Sequence, residues 1–358
     1  MSAATLVEGG APPAGGDRLR SLSRARLPRW APAAVGAGAF ALALVGNAAG
    51  ALDGPVRVAA TTAVLYAVVL TLLSRSVEGA RRSTDRLATT LVGGAFLLAL
   101  VPLLSLVYTV VSRGARRFDG RFFTKSNAGI TARDPGGGAY HAIIGTIEQV
   151  GIATLIAVPL ALLTAVYLVE YGRGPLAKAV SYVVDVMTGL PSVVAGLFVL
   201  SFWILALHQG FSGFAGSIAL AILMLPIVSR NTEEMLKLVP DELREASYAL
   251  GIPRWRTILR VVLPTALPGI VTGVMLGVAR IFGETAPVLL LVFGNNLING
   301  NPFSGAQASL PLYVFQQVSS GNKTAIDRAW TAALALILIV MLLNLLARLV
   351  SRRSTVGR

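Results

Sequence analysis

The chain has no cysteine, only two histidines among 358 residues, and just 13% charged residues. Without cysteine it can form no disulfide, thiolate zinc site or cysteine nucleophile. Two histidines far apart in sequence, His141 and His208, predict no metal site. Soluble proteins carry about 25% charged residues. With 54% hydrophobic residues and a mean hydropathy of +0.71, the composition indicates a membrane protein, and we expect no cofactor.

Positive charge is in excess, with 31 Lys and Arg against 17 Asp and Glu. Most of these cations flank apolar segments and form no continuous basic face. This pattern does not favour nucleic-acid binding.

Long apolar segments dominate the sequence. A bilayer core about 30 Å thick is crossed by roughly 20 apolar residues in a helix. The sequence therefore predicts an all-α, polytopic membrane helix bundle. The predicted spans are residues 31–51, 56–73, 87–112, 141–169, 179–207, 214–231, 262–293 and 329–350.

The first span has a rival interpretation, because a basic run, an apolar stretch and the triplet Ala49-Gly50-Ala51 resemble a secretory signal. Its apolar region exceeds the usual length of about 7–15 residues, so an uncleaved span is favoured.

The distribution of Lys and Arg predicts the orientation in the membrane. Most of them lie in connections on the N-terminal side, which predicts that both termini are cytoplasmic. Residues 1–30 are predicted to be a disordered basic tail and residues 351–358 a second basic tail. The predicted outer loop 113–140 is an exception because it is also basic. It could attract an acidic partner or an anion, or be an ordinary solvated loop.

A polar, helix-forming stretch lies in the predicted cytoplasmic loop 231–262. Pro240 suits a first helical turn, and Gly251 can end the helix in a left-handed conformation. A second short helix is predicted from Pro253 to Ile258, before the next span begins at Leu263-Pro264.

This loop carries a spaced motif. Glu245-Ala246-Ser247 is followed after three residues by Gly251 and after nine more by Val261-Val262-Leu263-Pro264. The motif resembles the "EAA" loop of permease subunits of ATP-binding-cassette importers, with Ser247 in place of an alanine and Val261 in place of an isoleucine. The strings at residues 188–196, 225–234 and 280–287 are similar to the phosphate-importer subgroup of that family.

The resemblance implies a MetI-like permease core of six helices within residues 87–350, preceded by two extra helices in residues 31–86. It also implies several partners in a multi-pass cell-membrane complex. They are ATPase subunits that dock on Glu245, Ala246, Ser247 and Gly251, a second related permease subunit, an external phosphate-binding protein, phosphate and the lipid bilayer.

The chain has no Gly-x4-Gly-Lys-Ser/Thr loop to bind the phosphates of ATP. We therefore expect a non-catalytic transport subunit that takes its energy from a separate ATPase. The alternatives are a permease for another oxyanion, such as molybdate or phosphonate, and a transporter driven alone by an ion gradient.

The seventh predicted span contains charged residues. On a helical wheel, one face of about 80° carries five residues, namely Gly269, Gly273, Gly277, Arg280 and Glu284. The glycines would let a neighbouring helix approach closely, and charges on this face should avoid lipid. Arg280 is predicted to bind phosphate on its pathway, with Glu284 orienting it; a structural ion pair is the alternative.

Three further charged residues have open roles. Arg230 is predicted to end the sixth span, either as the cytoplasmic exit of the pathway or as an ordinary anchor. Glu148 and Asp185 could line the pathway, although a polar partner across a helix contact is favoured. Residues 294–328 are the predicted outer docking and gating surface.

Overall fold

The computed structural model describes residues 26–50 and 54–356, with side chains described through residue 349. Most of the predicted tail 1–30 and the possible cleavage site at Ala51 lie outside these residues. The described chain is helical, apart from loops and an isolated bridge between Phe293 and Gln307, which confirms the all-α prediction.

Fourteen α-helices lie within the described residues. They are α1 (Ala31–Ala48), α2 (Pro55–Val77), α3 (Ala80–Gly114), α4 (Gly120–Thr124), α5 (Tyr140–Val166), α6 (Gly174–Thr188), α7 (Ser192–Val199), α8 (Gly213–Lys237), α9 (Asp241–Ala249), α10 (Arg254–Thr257), α11 (Leu263–Phe282), α12 (Ala286–Leu291), α13 (Leu310–Ser319) and α14 (Lys323–Val356).

The chain divides into two compact units, of which the first ends at Leu106. In the first unit Glu78 ties the base of the α2–α3 hairpin, because it accepts hydrogen bonds from Arg86 (2.6 and 2.9 Å), from Ser74 Oγ (2.8 Å) and from Leu27 N (2.9 Å). The Arg86 hydrogen bond is the main reason that the pKa of Glu78 falls to about 2. The predicted boundary between the two extra N-terminal helices and the permease core, at residues 86–87, stays a prediction.

The centre of the second unit is the contact between α5 and α8. Ala153, Ala157 and Ala161 are fully buried at four-residue spacing along α5, where small side chains let two helices approach closely. α11 packs against the same helix, α8, and the apolar side chains between them complete the core.

Seven helical segments are long and apolar enough to cross a membrane, and the bent pair α6–α7 adds an eighth if it counts as one span. Six of these eight lie from α3 onward, which agrees with the predicted six-helix core after two N-terminal helices.

The fifth predicted span, 179–207, is wrong as a single straight helix. α6 and the helix that starts at Ser192 are bent by 108° at the break between them. Pro191 causes the break, because proline has no N–H and disfavours helical geometry in the residue before it.

The seventh predicted span, 262–293, also differs at both ends. α11 stops at Phe282, and α12 follows only after a break at residues 283–285. At the other end, the short helix predicted from Pro253 is not separate. It continues through a π-helical turn, Ile258–Val262, so that Arg254–Phe282 forms one helical run of 29 residues.

The structure places three glycines of α11 against α8. A Cβ added to Gly269 would meet Met235, one added to Gly273 would meet Asn231, and one added to Gly277 would meet Val228 and Met224. The two helices therefore approach closely along this row.

We expect Gly273→Ala to lower the thermal unfolding midpoint of the purified chain. A Cβ there would lie 2.6 Å from Asn231 Cβ, which is too close to the backbone to swing away, and overpacking of this kind costs about 1–3 kcal/mol.

Gly151→Ala is the matched control, because a Cβ at Gly151 meets nothing within 4 Å and alanine favours a helix by about 0.5–1 kcal/mol. An equal effect of both substitutions would contradict the close α8–α11 contact.

Candidate functional site

The predicted docking motif forms a helical corner made of α9, the turn at Gly251 and α10. Gly251 has φ +70°, a left-handed conformation that favours glycine. Glu245 and Ala246 are exposed on α9. Ser247 instead points inward and is 2.8 Å from the hydroxyl of Thr257, so a small polar residue at 247 joins α9 to α10.

Arg244 anchors this corner to the bundle. Its guanidinium bonds Glu170 Oε1 at 3.1 Å and donates to the carbonyls of Leu236 (2.9 Å) and Val239 (2.6 Å), which lie at and beyond the end of α8. Glu170 is 4% exposed, and Arg254 donates to its backbone carbonyl. α9 and α10 are therefore fixed to the ends of both α5 and α8.

The corner exposes several large apolar side chains. Leu243, Tyr248, Leu250 and Trp255 are exposed, Leu250 by 79%. Together with the small Ala246, they form a surface on which another protein could pack.

The second candidate site lies at the break after α11. Arg280 forms an ion pair with Glu284; the Arg280 side chain is 60% exposed and that of Glu284 is 6% exposed. The predicted pairing is present, but the single shared face is not. The glycine row packs against α8, whereas Arg280 continues the exposed row of Thr272 and Leu276. The end of the helix explains only the position of Glu284, which lies beyond Phe282. Arg280 lies within α11 and is nevertheless exposed, so the wheel prediction was wrong for this residue.

Arg230 lies within α8 rather than at its end. It pairs with Glu233, donates to Asp185 at 2.5 Å and to Ser181 O and Oγ at 2.9 Å. Arg230 is thus the polar partner expected for Asp185, and it joins α6 to α8. No contact among the described residues joins Arg230 to Arg280.

Sequence reasoning missed Gln307, which is 1% exposed. Its side chain donates to Glu148 Oε2 (2.5 Å) and to Asn299 O (3.0 Å), and accepts from Gln149 Nε2 (2.9 Å). Gly145 and Gly213 leave the room for this segment. Gln307 therefore fixes the loop before α13 to Glu148 and Gln149 of α5, and it lies against Gly213 at the start of α8. The glycines at 145 and 213, which make room for the Gln307 amide, are the sequence feature that could have pointed to this contact.

No group of three or more His, Asp or Glu side chains in the described part of the chain could hold a metal ion.

A helical bundle that crosses the membrane, carries an exposed helical corner at one end and holds a charge pair at a helix break fits a known family of transporters. The family model described as "Binding-protein-dependent transport system inner membrane component" matches residues 157–356. The class of the chain is therefore a multi-pass, inner-membrane component of such a transport system.

Curated relatives narrow this class. The chain is 49% identical over 272 residues to phosphate transport system permease protein PstA 1 of Mycobacterium tuberculosis (strain CDC 1551 / Oshkosh), covering 75% of this chain and 89% of that protein. It is 48% identical over 297 residues to PstA of Mycobacterium leprae (82% and 93% covered) and 39% identical over 277 residues to PstA of Yersinia pestis (77% and 92%). The chain belongs to the PstA family of transport permeases, as the motifs predicted.

The fold also resembles solved importers. A bacterial alginate ABC transporter, in complex with alginate pentasaccharide-bound periplasmic protein, superposes with a TM-score of 0.57 at 16% identity. The match covers 75% of this chain and 95% of that chain. At this identity the likeness shows the fold alone.

We expect Arg244→Met to lower the stability of the chain by about 3–5 kcal/mol, because it leaves the buried Glu170 carboxylate without its partner. Thermal unfolding of the purified chain measures the effect. Asp241→Asn is the control: it removes a partner of Arg244 whose side chain is 88% exposed, and should cost less than about 1 kcal/mol. Equal losses would show that Arg244 does not anchor the corner.

Proposed function

We propose that this chain is the membrane-spanning permease subunit of an ATP-driven importer that carries inorganic phosphate from an external binding protein to the cytoplasm by alternating access. The observation that carries the proposal is the exposed guanidinium of Arg280, held by the buried carboxylate of Glu284 at a helix break, in a chain 39–49% identical to phosphate transport permeases.

Arg280 supplies the chemistry for an oxyanion. A guanidinium is planar and always charged, and its forked N–H groups match two oxygens of phosphate. Glu284 holds one part of the guanidinium, while more than half of the side chain stays accessible. The carboxylate competes with a bound anion for the same donors, so phosphate can bind at Arg280 and leave again.

The break after α11 supports a pathway at this position. Irregular backbone at membrane depth is tolerated where protein or a water-filled cavity surrounds it. We place a second, related permease subunit against the exposed row of α11, so that Arg280 faces the passage between the two subunits and not lipid.

The helical corner supplies the energy coupling. We place it on the cytoplasmic side, where its exposed apolar side chains would enter a cleft on a separate ATPase subunit. Residues 294–328, the predicted outer surface, lie at the opposite end of α11 from this corner and would face the external phosphate-binding protein. ATP-driven movement of the corner would then change the packing around Arg280.

We expect Arg280→Gln and Arg280→Lys both to reduce phosphate uptake by cells at least tenfold at matched protein level, because neither side chain presents the guanidinium fork. Arg260→Gln is the control, since Arg260 is an exposed arginine earlier on the same helical run. Full uptake by the Lys variant would leave Arg280 a structural residue only.

Docking of an ATPase can be tested separately. Leu250→Glu places a charge on the most exposed apolar side chain of the corner and should abolish co-purification of the ATPase subunit without changing the unfolding midpoint. Leu297→Glu, at a 60% exposed residue of the predicted outer surface 294–328, should leave co-purification unchanged. ATPase capture by the Leu250 variant would place the docking surface elsewhere.

A further inference from the structure

Buried polar atoms without a hydrogen-bond partner are concentrated in one part of the second unit. Among the described residues, seven buried side-chain atoms have none. Five of the seven belong to four residues near the loop that follows α4. They are Arg117 Nη1, Asn127 Oδ1, His141 Nδ1 and Nε2, and the hydroxyl of Tyr313.

These residues share one environment with a fifth residue, Arg328. Arg117 and Arg328 both donate to the carbonyl of Gly136, at 3.2 and 3.1 Å. The ring of His141 lies edge-on to that of Tyr313, with centroids 5.4 Å apart. We call Arg117, Asn127, His141, Tyr313 and Arg328 the Gly136 cluster.

Asn127 packs against Gly137, the residue that follows Gly136. A Cβ added to Gly137, which has φ +87°, would clash with Asn127 Oδ1. Only a glycine leaves the space that this carbonyl oxygen occupies. Asn127 and His141 are each 2% exposed, and Tyr313 is 1% exposed, so none of the three is solvated from the surface.

The cluster holds more positive than negative charge. Arg328 is 0% exposed, yet its guanidinium bonds only Gln317 Oε1 and the carbonyls of Thr131, Asp134 and Gly136. No ion pair in the described part of the chain joins a carboxylate to Arg328 or Arg117. The carboxylate of Asp134 accepts from the N–H and hydroxyl of Thr131 at 2.7 and 2.8 Å and interacts electrostatically with Arg328, so it balances at most one of the two guanidinium charges.

The charge of one of these two arginines has no counter-charge among the ion pairs of the described residues. A buried cation is costly unless it is paired, and a buried polar group is costly unless it is hydrogen-bonded. The available donors are Arg117 Nη1, the Tyr313 hydroxyl and one ring N–H of His141. Burial raises the pKa of Tyr313 to about 12, against the opposing effect of Arg328 and Arg117, so the phenol keeps its proton. Asn127 Oδ1, by contrast, must accept a hydrogen bond.

We propose that the Gly136 cluster is a buried binding site for one small inorganic oxyanion that still carries a proton, of which monohydrogen and dihydrogen phosphate are the type. The oxygens of the anion accept from Arg117 and Tyr313. Its remaining hydroxyl donates to Asn127 or to His141. Water would satisfy the polar atoms but not the charge. The site is separate from the ion pair of Arg280 and Glu284.

The test measures anion binding by the purified full-length chain that carries Arg280→Gln, which removes the proposed pathway site. Unfolding midpoints are recorded at constant ionic strength in phosphate, sulfate or chloride. We expect saturable stabilisation by phosphate, because a ligand that binds only the folded chain raises the midpoint with concentration. Sulfate has no proton at neutral pH and should bind at least tenfold more weakly. Chloride should not saturate.

Tyr313→Phe in the same background removes one hydroxyl and should weaken phosphate binding about tenfold, the effect of one hydrogen bond to a charged group. Tyr182→Phe is the matched control, because the Tyr182 ring is 69% exposed. Should the Tyr313→Phe substitution prevent folding, binding of radioactive phosphate to the Arg280→Gln chain gives an independent readout, with one anion expected per chain.

Three results would overturn the site. The first is that the Arg280→Gln chain binds no phosphate. The second is that all three anions stabilise it equally. The third is that a folded Tyr313→Phe chain binds phosphate with unchanged affinity. Loss of uptake in Arg280→Gln alongside a retained bound anion would support both sites. If Arg280→Gln retains both uptake and a bound anion, the pathway role of Arg280 is rejected and the buried site is supported.

Discussion

Lipid offers no hydrogen-bond partner to a peptide group, so a helix can be interrupted within a membrane only where protein or water surrounds the break. Two such breaks lie in the part of the chain that the structure describes, one at Gly189–Pro191 and one at residues 283–285. The helices that follow them pack on each other, because Gly196 brings α7 to within contact distance of Pro287. The segments that follow the two breaks thus partly cover each other.

Arginines fix the loops of this fold to its helices. Arg244 binds the carbonyls after α8, Arg328 binds those of the loop before α5, and Arg230 joins α6 to α8. Backbone carbonyls at helix ends and in loops have no partner within a helix, and a guanidinium can satisfy several of them at once. Arg280 differs from these three because most of its side chain stays accessible.

The apolar runs were enough to predict the membrane spans, of which seven are single helices and the eighth is the bent pair. The family was predicted from the spaced motif around Glu245 and Gly251, because a motif of this kind is read from local sequence. The bend at Pro191 was not predicted, because hydropathy measures how apolar a segment is and not its direction. The motif Gly189-Leu190-Pro191 carried the signal. The burial of Arg328 and Gln307 could not be predicted, because both depend on carbonyls and amides from segments distant in the chain.

The helical run from Arg254 to Phe282 joins the helical corner to Arg280 without an intervening loop. At 1.5 Å per residue, Trp255 and Arg280 lie about 38 Å apart along its axis. If a helix of this length tilts by about 4° about one end, its other end moves by about 2–3 Å. This displacement is close to the length of a hydrogen bond. A small push on the corner is therefore sufficient to make or break the contacts of a single guanidinium.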